Sequence, residues 1–100
     1  MIYTTYFDID NVSITPGAIQ HFKNIGYDKV DILILIEKHK FNEDDNPHKE
    51  DLKANVNALH HGGMFLSVYN IENEKVYIIS YIDPKETKSL ETTVLLASEY

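Results

Sequence analysis

The chain of 100 residues contains no cysteine. This absence excludes a disulfide framework, a thiolate nucleophile and a cysteine-based metal site. It also suits a reducing compartment, and we therefore expect a cytoplasmic protein. We expect neither a cofactor nor a bound metal.

Arginine is missing as well, because all nine basic residues are lysine. Against sixteen acidic residues, they leave a net charge of −7. Arginine supplies the planar, two-pronged donor that binds phosphates and guanine edges. Its absence argues against direct binding of DNA or RNA and against phosphoryl transfer. A net negative field instead favours a basic partner.

The sequence also lacks an apolar run long enough to span a membrane, and its first residues do not form a basic leader. We therefore expect neither a membrane segment nor a signal peptide. No internal repeat, low-complexity tract or linker divides the chain. Its length predicts a single domain over residues 1–100.

The last third of the chain, residues 64–100, is rich in β-branched and aromatic residues and predicts three strands. If Ile71 and Val76 close the loop ENEK, then Glu72 faces Lys75 beside the turn. The hairpin then has two apolar faces, and we expect helices to cover one of them. One face carries Phe65, Tyr69, Ile71, Val76, Ile78 and Ile82, and the other carries Leu66, Val68, Tyr77, Ile79 and Tyr81.

The first part of the chain predicts a strand followed by helices. The segment from Ile2 to Ile9 has the β-branched and aromatic content of a strand. Thr15 is placed to cap a helix that begins at Pro16 and ends at Gly26. The resulting order predicts an α+β fold, with two or three helices on one face of a mainly antiparallel sheet that ends in a β-meander.

A later helix is predicted to begin at Asn46-Pro47, with Asn46 as its cap. Its buried stripe is expected to consist of Leu52, Val56 and Leu59, and its end to fall at Gly62 or Gly63. Residues 28–39 are ambiguous, because the apolar block from residue 32 to 36 fits a buried strand and also a capped helix. Periodicity alone does not decide between them.

Five carboxylates lie close together in the segment from Phe41 to Asp51, beside the single basic residue Lys49. Mutual repulsion raises the proton affinity of such groups and favours a cation or a basic surface nearby. The central glycine and alternating ligands of a calcium loop are missing. A solvated loop, a patch for a basic partner and a metal site all stay open for Glu43, Asp44, Asp45, Glu50 and Asp51.

The five histidines show no spacing typical of a nucleophile, a base and an orienting group. His60 and His61 are adjacent in the last turn of a predicted helix, where their side chains point about 100° apart, whereas two zinc ligands on one face need a spacing of four. We interpret them as helix-end histidines that the helix dipole favours. His21 is expected to lie at the surface.

The motifs ITPGAIQHF, FLSVY, VYIIS and above all the terminal TTVLLASEY resemble short, uncharacterised proteins of conjugative plasmids and integrated elements. The resemblance covers most of the chain and implies that residues 28–39 form a helix closed by His39. It implies mobile-element biology and no established activity. Two segments depart from the family pattern, FNEDDNPHK in place of a tryptophan-containing turn and DPKETKSLE in place of a shorter, arginine-containing one.

Our leading hypothesis is therefore an inhibitor from a mobile element that binds the basic surface of a host defence complex, such as a restriction enzyme or a CRISPR effector. Such complexes handle nucleic acid through grooves of lysine and arginine, for which clustered carboxylates can compete. The expected contact residues are Glu43, Asp44, Asp45, Glu50 and Asp51, with Tyr69, Tyr77 and Tyr81 as aromatic anchors.

Two alternatives come from other classes of protein. The first is a small nuclease-like toxin that uses His39 or His48 as a general base. The missing arginine and the negative charge count against it. The second is an oligomerising structural module, in which the exposed sheet face or the terminal strand pairs with another copy. A homodimer is compatible with the leading hypothesis too.

Overall fold

The computed structural model describes residues 7–46 and 48–100 and shows the expected α+β fold, with three helices and a mixed sheet of five strands. In chain order the elements are β1 (Asp8–Ile9), β2 (Val12–Ile14), α1 (Pro16–Ile25), α2 (Lys29–Lys40), α3 (Lys49–His61), β3 (Gly63–Ile71), β4 (Glu74–Asp83), β5 (Lys88–Leu96) and a terminal 3-10 turn (Ala97–Glu99). None of the helices in these two ranges has both the length and the apolar character that a membrane crossing requires.

The sheet has β5 in its interior, because β4 pairs with one side of it and β1 and β2 pair with the other. The β3–β4 and β4–β5 pairs are antiparallel, as the predicted meander requires. The pairs of β1 and β2 with β5 are parallel, which makes the sheet mixed. The predicted N-terminal strand is present at Asp8–Ile9, and its residues 2–6 lie outside the described residues.

The hairpin between β3 and β4 has a tighter turn than we expected. Ile71 pairs with Glu74, and the two residues between them have positive φ angles of 47° at Glu72 and 68° at Asn73. Two consecutive left-handed residues define the type I′ turn that matches the twist of a hairpin. The expected pairings of Ile71 with Val76 and of Glu72 with Lys75 are therefore wrong.

The error in the hairpin register is two residues, and a shift of two leaves every side chain on the same face of a sheet. The six side chains predicted to share the inner face are all buried: Phe65, Tyr69, Ile71, Val76, Ile78 and Ile82. They form the floor of the core, on which the helices pack. This part of the prediction is confirmed.

Helix α1 begins and ends as the sequence predicts. The Thr15 hydroxyl accepts a hydrogen bond from the amide of Ala18, and Pro16 occupies the first helical position. Gly26 ends the helix with a φ of 77°, a left-handed conformation that glycine adopts at little cost. Ala18 and Phe22 are the buried residues of this helix.

Residues 29–40 form a helix, as the resemblance implies, so the alternative of a buried strand is wrong. Asp28 accepts a hydrogen bond from the amide of Asp31, whose carboxylate accepts one from the amide of Asp28. This reciprocal capping box fixes the start of α2. Leu35, Ile36 and His39 are its buried residues.

Helix α3 begins at Lys49, two residues later than expected from a cap at Asn46 and a start at residue 47, which lies outside the described residues. Its N-cap residue is His48, whose amide donates to the Asn46 carbonyl oxygen Oδ1. The buried residues are Asn55 and Ala58, whereas Val56 is 48% exposed. The expected burial of Val56 is therefore wrong, because small and polar side chains lie on the face that meets β3. The expected end at Gly62 is confirmed.

Candidate protein-interaction site

In the part of the chain that the structure describes, no strand pairs with the outer edge of β3, and side chains bind its backbone groups instead. The Asn55 amide Nδ2 donates to the Leu66 carbonyl at 2.7 Å, and the Leu66 amide donates to Asn55 Oδ1 at 2.8 Å. Asn55 Nδ2 also donates to Asn42 Oδ1 at 2.9 Å. Asn55 thus stands in for a residue of a neighbouring strand.

The acidic segment continues this pairing further along the same edge. The Val68 amide donates to Asp44 Oδ2 at 2.8 Å, and the Asn70 amide donates to Asp45 Oδ2 at 2.9 Å. The backbone amide of Asp45 donates to the Val68 carbonyl at 2.9 Å. These bonds satisfy an edge that would otherwise be open to another strand. Asp44 and Asp45, two of the five expected contact acids, therefore also stabilise the edge of β3.

The environment of Asp44 makes its charge unfavourable. Burial raises the pKa of Asp44 above its usual 3.8, and the negative charges of Asp45 and Asp51 raise it further. Hydrogen bonds from the amides of Val68 and Asn46 act in the opposite direction. The structure thus keeps three carboxylates close together although they repel one another.

The other expected contact acids lie around this cluster. Glu43 is exposed beside Asp44. Glu50 and Asp51 belong to the first turn of α3 and not to a loop. The positive end of the helix dipole favours carboxylates there. Asp51 also accepts a hydrogen bond from Asn46 Nδ2 at 2.9 Å.

A depression of about 330 Å³ joins this cluster to the sheet face that the helices leave uncovered. We call it the acidic depression. Its lining combines charged and polar side chains with apolar and aromatic ones. It is lined by Asp45, Asn46, His48, Asp51, Leu66, Val68, Asn70, Lys75 and Tyr77.

The three predicted aromatic anchors lie in different environments. Tyr77 is half-buried on the open face, where its ring contacts that of Tyr100 at a centroid distance of 5.8 Å. Tyr81 is exposed further along β4, opposite Met64. Tyr69 points to the opposite side of the sheet and is only 4% exposed.

Tyr69 is a core residue, and the expectation that it anchors a partner is wrong. Its hydroxyl donates to the Glu43 carbonyl at 2.7 Å. This bond holds the backbone directly before Asp44 and Asp45 against the core. Burial raises the pKa of the Tyr69 phenol well above its usual value. Strand alternation placed Tyr69 correctly on the inner face, but its residue type suggested a surface role.

His39 lies at the centre of a buried chain of hydrogen bonds. Its Nδ1 is 2.6 Å from Ser67 Oγ and its Nε2 is 2.8 Å from Ser80 Oγ. Ser80 and Ser89 both contact the Thr92 hydroxyl, at 2.6 and 2.7 Å. The rings of two phenylalanines, Phe7 and Phe65, meet the imidazole edge to face.

This environment makes His39 a structural residue. The side chain is fully buried, and burial lowers its pKa from 6.5 to about 3. A neutral imidazole has one donor and one acceptor, and the two serine hydroxyls occupy both. The proposed role of His39 as a general base is therefore wrong, because it has no free nitrogen and no exposed surface.

The remaining histidines lie at the surface or at its border. His60 and His61 are exposed on the last turn of α3, as expected. His21 is half-buried, and its Nε2 donates to the Ile71 carbonyl at 2.8 Å. His48 lines the acidic depression. Among residues 7–46 and 48–100, no three histidine, aspartate or glutamate side chains lie close enough together to share a metal ion.

Glu99 is a structural residue that the sequence did not single out. Its Oε1 accepts from the Thr15 hydroxyl at 2.6 Å, and its Oε2 accepts from the Gly17 amide at 3.2 Å. The hydrogen bond from Thr15 is the main reason why the pKa of Glu99 is lowered. A side chain at Gly17 would collide with this carboxylate, since a Cβ there would lie 2.6 Å from Glu99 Cδ. The terminal TTVLLASEY is thus tied to the helix start in ITPGAIQHF.

Comparison of the chain with family models, curated proteins and solved structures found no significant match. The fold and the acidic depression define an α+β domain with an acidic, partly aromatic surface at one sheet edge. The relationship to proteins of mobile elements stays a prediction. The functional argument therefore depends on the geometry of this surface.

Proposed function

We propose that this chain is a non-catalytic binding protein whose acidic depression receives a lysine or arginine side chain from the basic surface of a partner. The observation that carries the proposal is that Asp45 and Asp51 line the same depression as Tyr77. We place the protein in the cytoplasm and its partner among nucleic-acid-handling defence complexes, either a restriction enzyme or a CRISPR effector.

The lining of the depression suits a long cationic side chain. Leu66 and Val68 offer apolar surface to an aliphatic stem. The aromatic ring of Tyr77 and the two carboxylates favour the charged end. Because one oxygen of Asp45 already accepts from Asn70, the other oxygen is the one available to a partner.

A cation of the chain itself also reaches the depression. Lys75 lines it, opposite Asn70 on the neighbouring strand. An external lysine or arginine that enters the depression therefore meets the positive charge of Lys75. Replacing Lys75 with glutamine should strengthen binding of a basic peptide more than removal of a lysine charge outside the depression does.

The charge of the whole chain supports the same kind of partner. A net charge of −7 without any arginine attracts basic surfaces at long range and repels nucleic acid. Grooves that bind nucleic acid expose lysine and arginine, so an acidic protein can occupy them in its place. Binding of this kind weakens as salt screens the charges.

The nuclease-like alternative loses one of its two candidate bases, because His39 is buried and fully hydrogen-bonded. His48 is the other, and it lies in the acidic depression beside Asp45 and Asp51. An RNA phosphate would meet carboxylates there in place of a cationic cradle. The geometry thus supports binding of a cation at this surface better than cleavage of a polyanion.

A peptide of eight arginines, followed by fluorescence anisotropy, tests the chemistry of the site. The variant Asp45→Asn/Asp51→Asn keeps an acceptor oxygen at each position and removes two charges. Its control, Asp8→Asn/Glu86→Gln, removes two charges near the other edge of the sheet. We expect the first variant to weaken binding about tenfold or more and the control to weaken it far less. Equal losses in both variants would show general charge attraction and refute the site.

The choice of partner needs a separate measurement. In cells with an active restriction or CRISPR system, the chain should increase the establishment of a targeted plasmid, and the Asp45→Asn/Asp51→Asn variant should lose this effect. If the peptide binds as expected but plasmid establishment does not change, the defence complex is the wrong partner and the basic-ligand site stands.

A further inference from the structure

Helix α2 exposes an apolar surface of its own, outside the acidic depression that carries the proposed function. Val30 is 62% exposed, Leu33 50% and Ile34 49%. These three side chains lie side by side, on the face opposite the buried Leu35 and Ile36. A helix that is apolar on all sides is normally covered on all sides.

Two grooves flank these residues, so that α2 forms a ridge between them. One groove, of about 420 Å³, runs between α1 and α2 beside β2 and is lined mainly by apolar side chains. The other, of about 270 Å³, lies toward Phe41 and contains Val30 and Ile34. Leu33 lines both grooves. A ridge next to a groove on the same face can interlock with a copy of itself, as an interface with two-fold symmetry requires.

The charges on α2 have the same symmetry about Leu33. Lys29 and Glu37 each lie four residues from it, on the same side of the helix, and carry opposite charges. Two antiparallel copies that cross at Leu33 would thus place Lys29 of one copy opposite Glu37 of the other. Within the helix, Glu37 contacts Lys40 at 3.2 Å. Such an ion pair near the surface stabilises the fold little, so Glu37 can leave Lys40 and contact Lys29 of the other copy.

We propose that the α2 face binds the same face of a second copy, and that the chain forms an antiparallel, two-fold symmetric dimer with Leu33 at its axis. Although each copy carries a net charge of −7, the pairing of Lys29 with Glu37 between copies offsets part of the repulsion at this face. The surface differs from the sheet face and the terminal strand, which the sequence suggested for self-association.

Sedimentation equilibrium across a concentration series tests the dimer with a matched pair of variants. Leu33→Glu places two carboxylates at the axis and should weaken association at least ~100-fold. Val56→Glu is the control, because Val56 is equally exposed on the outer side of another helix. It should leave association unchanged. A wild-type chain that stays monomeric up to millimolar concentration would overturn the proposal and leave α2 to a different partner.

Two further variants test the symmetry. Lys29→Glu and Glu37→Lys should each weaken the dimer, and the double variant should restore it, because the pair is then formed with reversed charges. Since the chain contains no cysteine, Leu33→Cys introduces a single thiol that should form an intermolecular disulfide rapidly on oxidation. Val56→Cys should react slowly. Equal rates for the two cysteines, or a double charge variant no better than the single ones, would refute the antiparallel arrangement.

Discussion

Asn55 pairs with Leu66 through both hydrogen bonds that a neighbouring strand would make, although Asn55 lies in a helix. The edge of β3 is therefore closed from within the chain. This closure prevents the edge from acting as a template for a second strand. It also explains why a polar residue is buried on the inner face of α3.

Replacing Asn55 with alanine should lower the free energy of unfolding by about 1–3 kcal/mol, because it removes the partner of the partly buried amide and carbonyl of Leu66. Urea denaturation followed by circular dichroism measures the loss. Asn57→Ala is the control, since Asn57 is exposed on the same helix. A change at Asn55 no larger than that at Asn57 would show that the edge does not depend on this side chain.

The buried His39 should make the stability of the chain depend on pH. Below 6.5 the unfolded chain binds a proton at His39, whereas the folded chain, with its pKa of about 3, does not. The free energy of unfolding should therefore fall as pH decreases from about 6.5 toward 3, by up to about 1.4 kcal/mol per pH unit, and this contribution should be constant above 7.

Denaturation curves of His39→Gln and of His60→Gln, whose histidine is exposed, isolate this contribution. The His39 variant should be less stable at pH 7, because it disturbs the bonds to Ser67 and Ser80, and it should lose the slope. The His60 variant should keep the slope of the wild type. If all three proteins show the same slope between pH 4 and 6.5, His39 is not the group responsible.

Asp44 should have the opposite dependence on pH. Its pKa is raised in the folded state, so the folded chain binds a proton at Asp44 more tightly than the unfolded chain does. Its unfavourable contribution is complete above the folded pKa and disappears as pH falls below 3.8. Asp44→Asn keeps an acceptor for the Val68 amide and removes the repulsion from Asp45 and Asp51.

We therefore expect Asp44→Asn to be at least as stable as the wild type at pH 7, and its advantage to shrink as pH approaches 3.8. Chemical denaturation at a series of pH values, with Asp8→Asn as the control, measures both effects. A clear loss of stability at pH 7 would mean that the hydrogen bond from Val68 needs the charged carboxylate.

Substitutions in the turn between β3 and β4 should make the fold more stable. Both of its residues have positive φ angles, and glutamate at the first of them is a poor choice for that conformation. Glu72→Asn/Asn73→Gly provides the preferred pair for a type I′ turn and should raise the free energy of unfolding by about 0.5–1 kcal/mol. The same glycine at Asn57, inside helix α3, should lower it. A loss of stability in the turn variant would contradict the assigned turn type.

Local sequence signals predicted much of this fold, because they act over a few residues. The cap at Thr15, the stop at Gly26 and the alternation along β3 and β4 are all present. The start of α3 and the burial of Val56 were wrong, because the approach of α3 to β3 selects the small Ala58 and the bonding Asn55 as its inner residues.

The roles of the residues in the candidate site depend on contacts between segments that are distant in sequence. The periodicity of a local pattern does not predict such contacts. The carboxylates of Asp44 and Asp45 meet Val68 and Asn70 only after the chain has folded, 24 and 25 residues apart in sequence. The sequence showed five similar acids, whereas in the structure only Asp44 and Asp45 close the sheet edge, and Asp45 is also exposed. Sequence patterns did not predict the role of Tyr69 for the same reason, since its hydroxyl donates to the carbonyl of Glu43, in a distant segment.

The place of β5 between β4 and the two N-terminal strands has a consequence for synthesis on the ribosome. β1 and β2 emerge before β5, which is their only partner in the described sheet. The β3–β4 hairpin can form beforehand from neighbouring residues, whereas a nascent chain arrested before Lys88 has no strand with which β1 and β2 can pair. β1 and β2 should therefore stay accessible to chaperones until β5 has emerged.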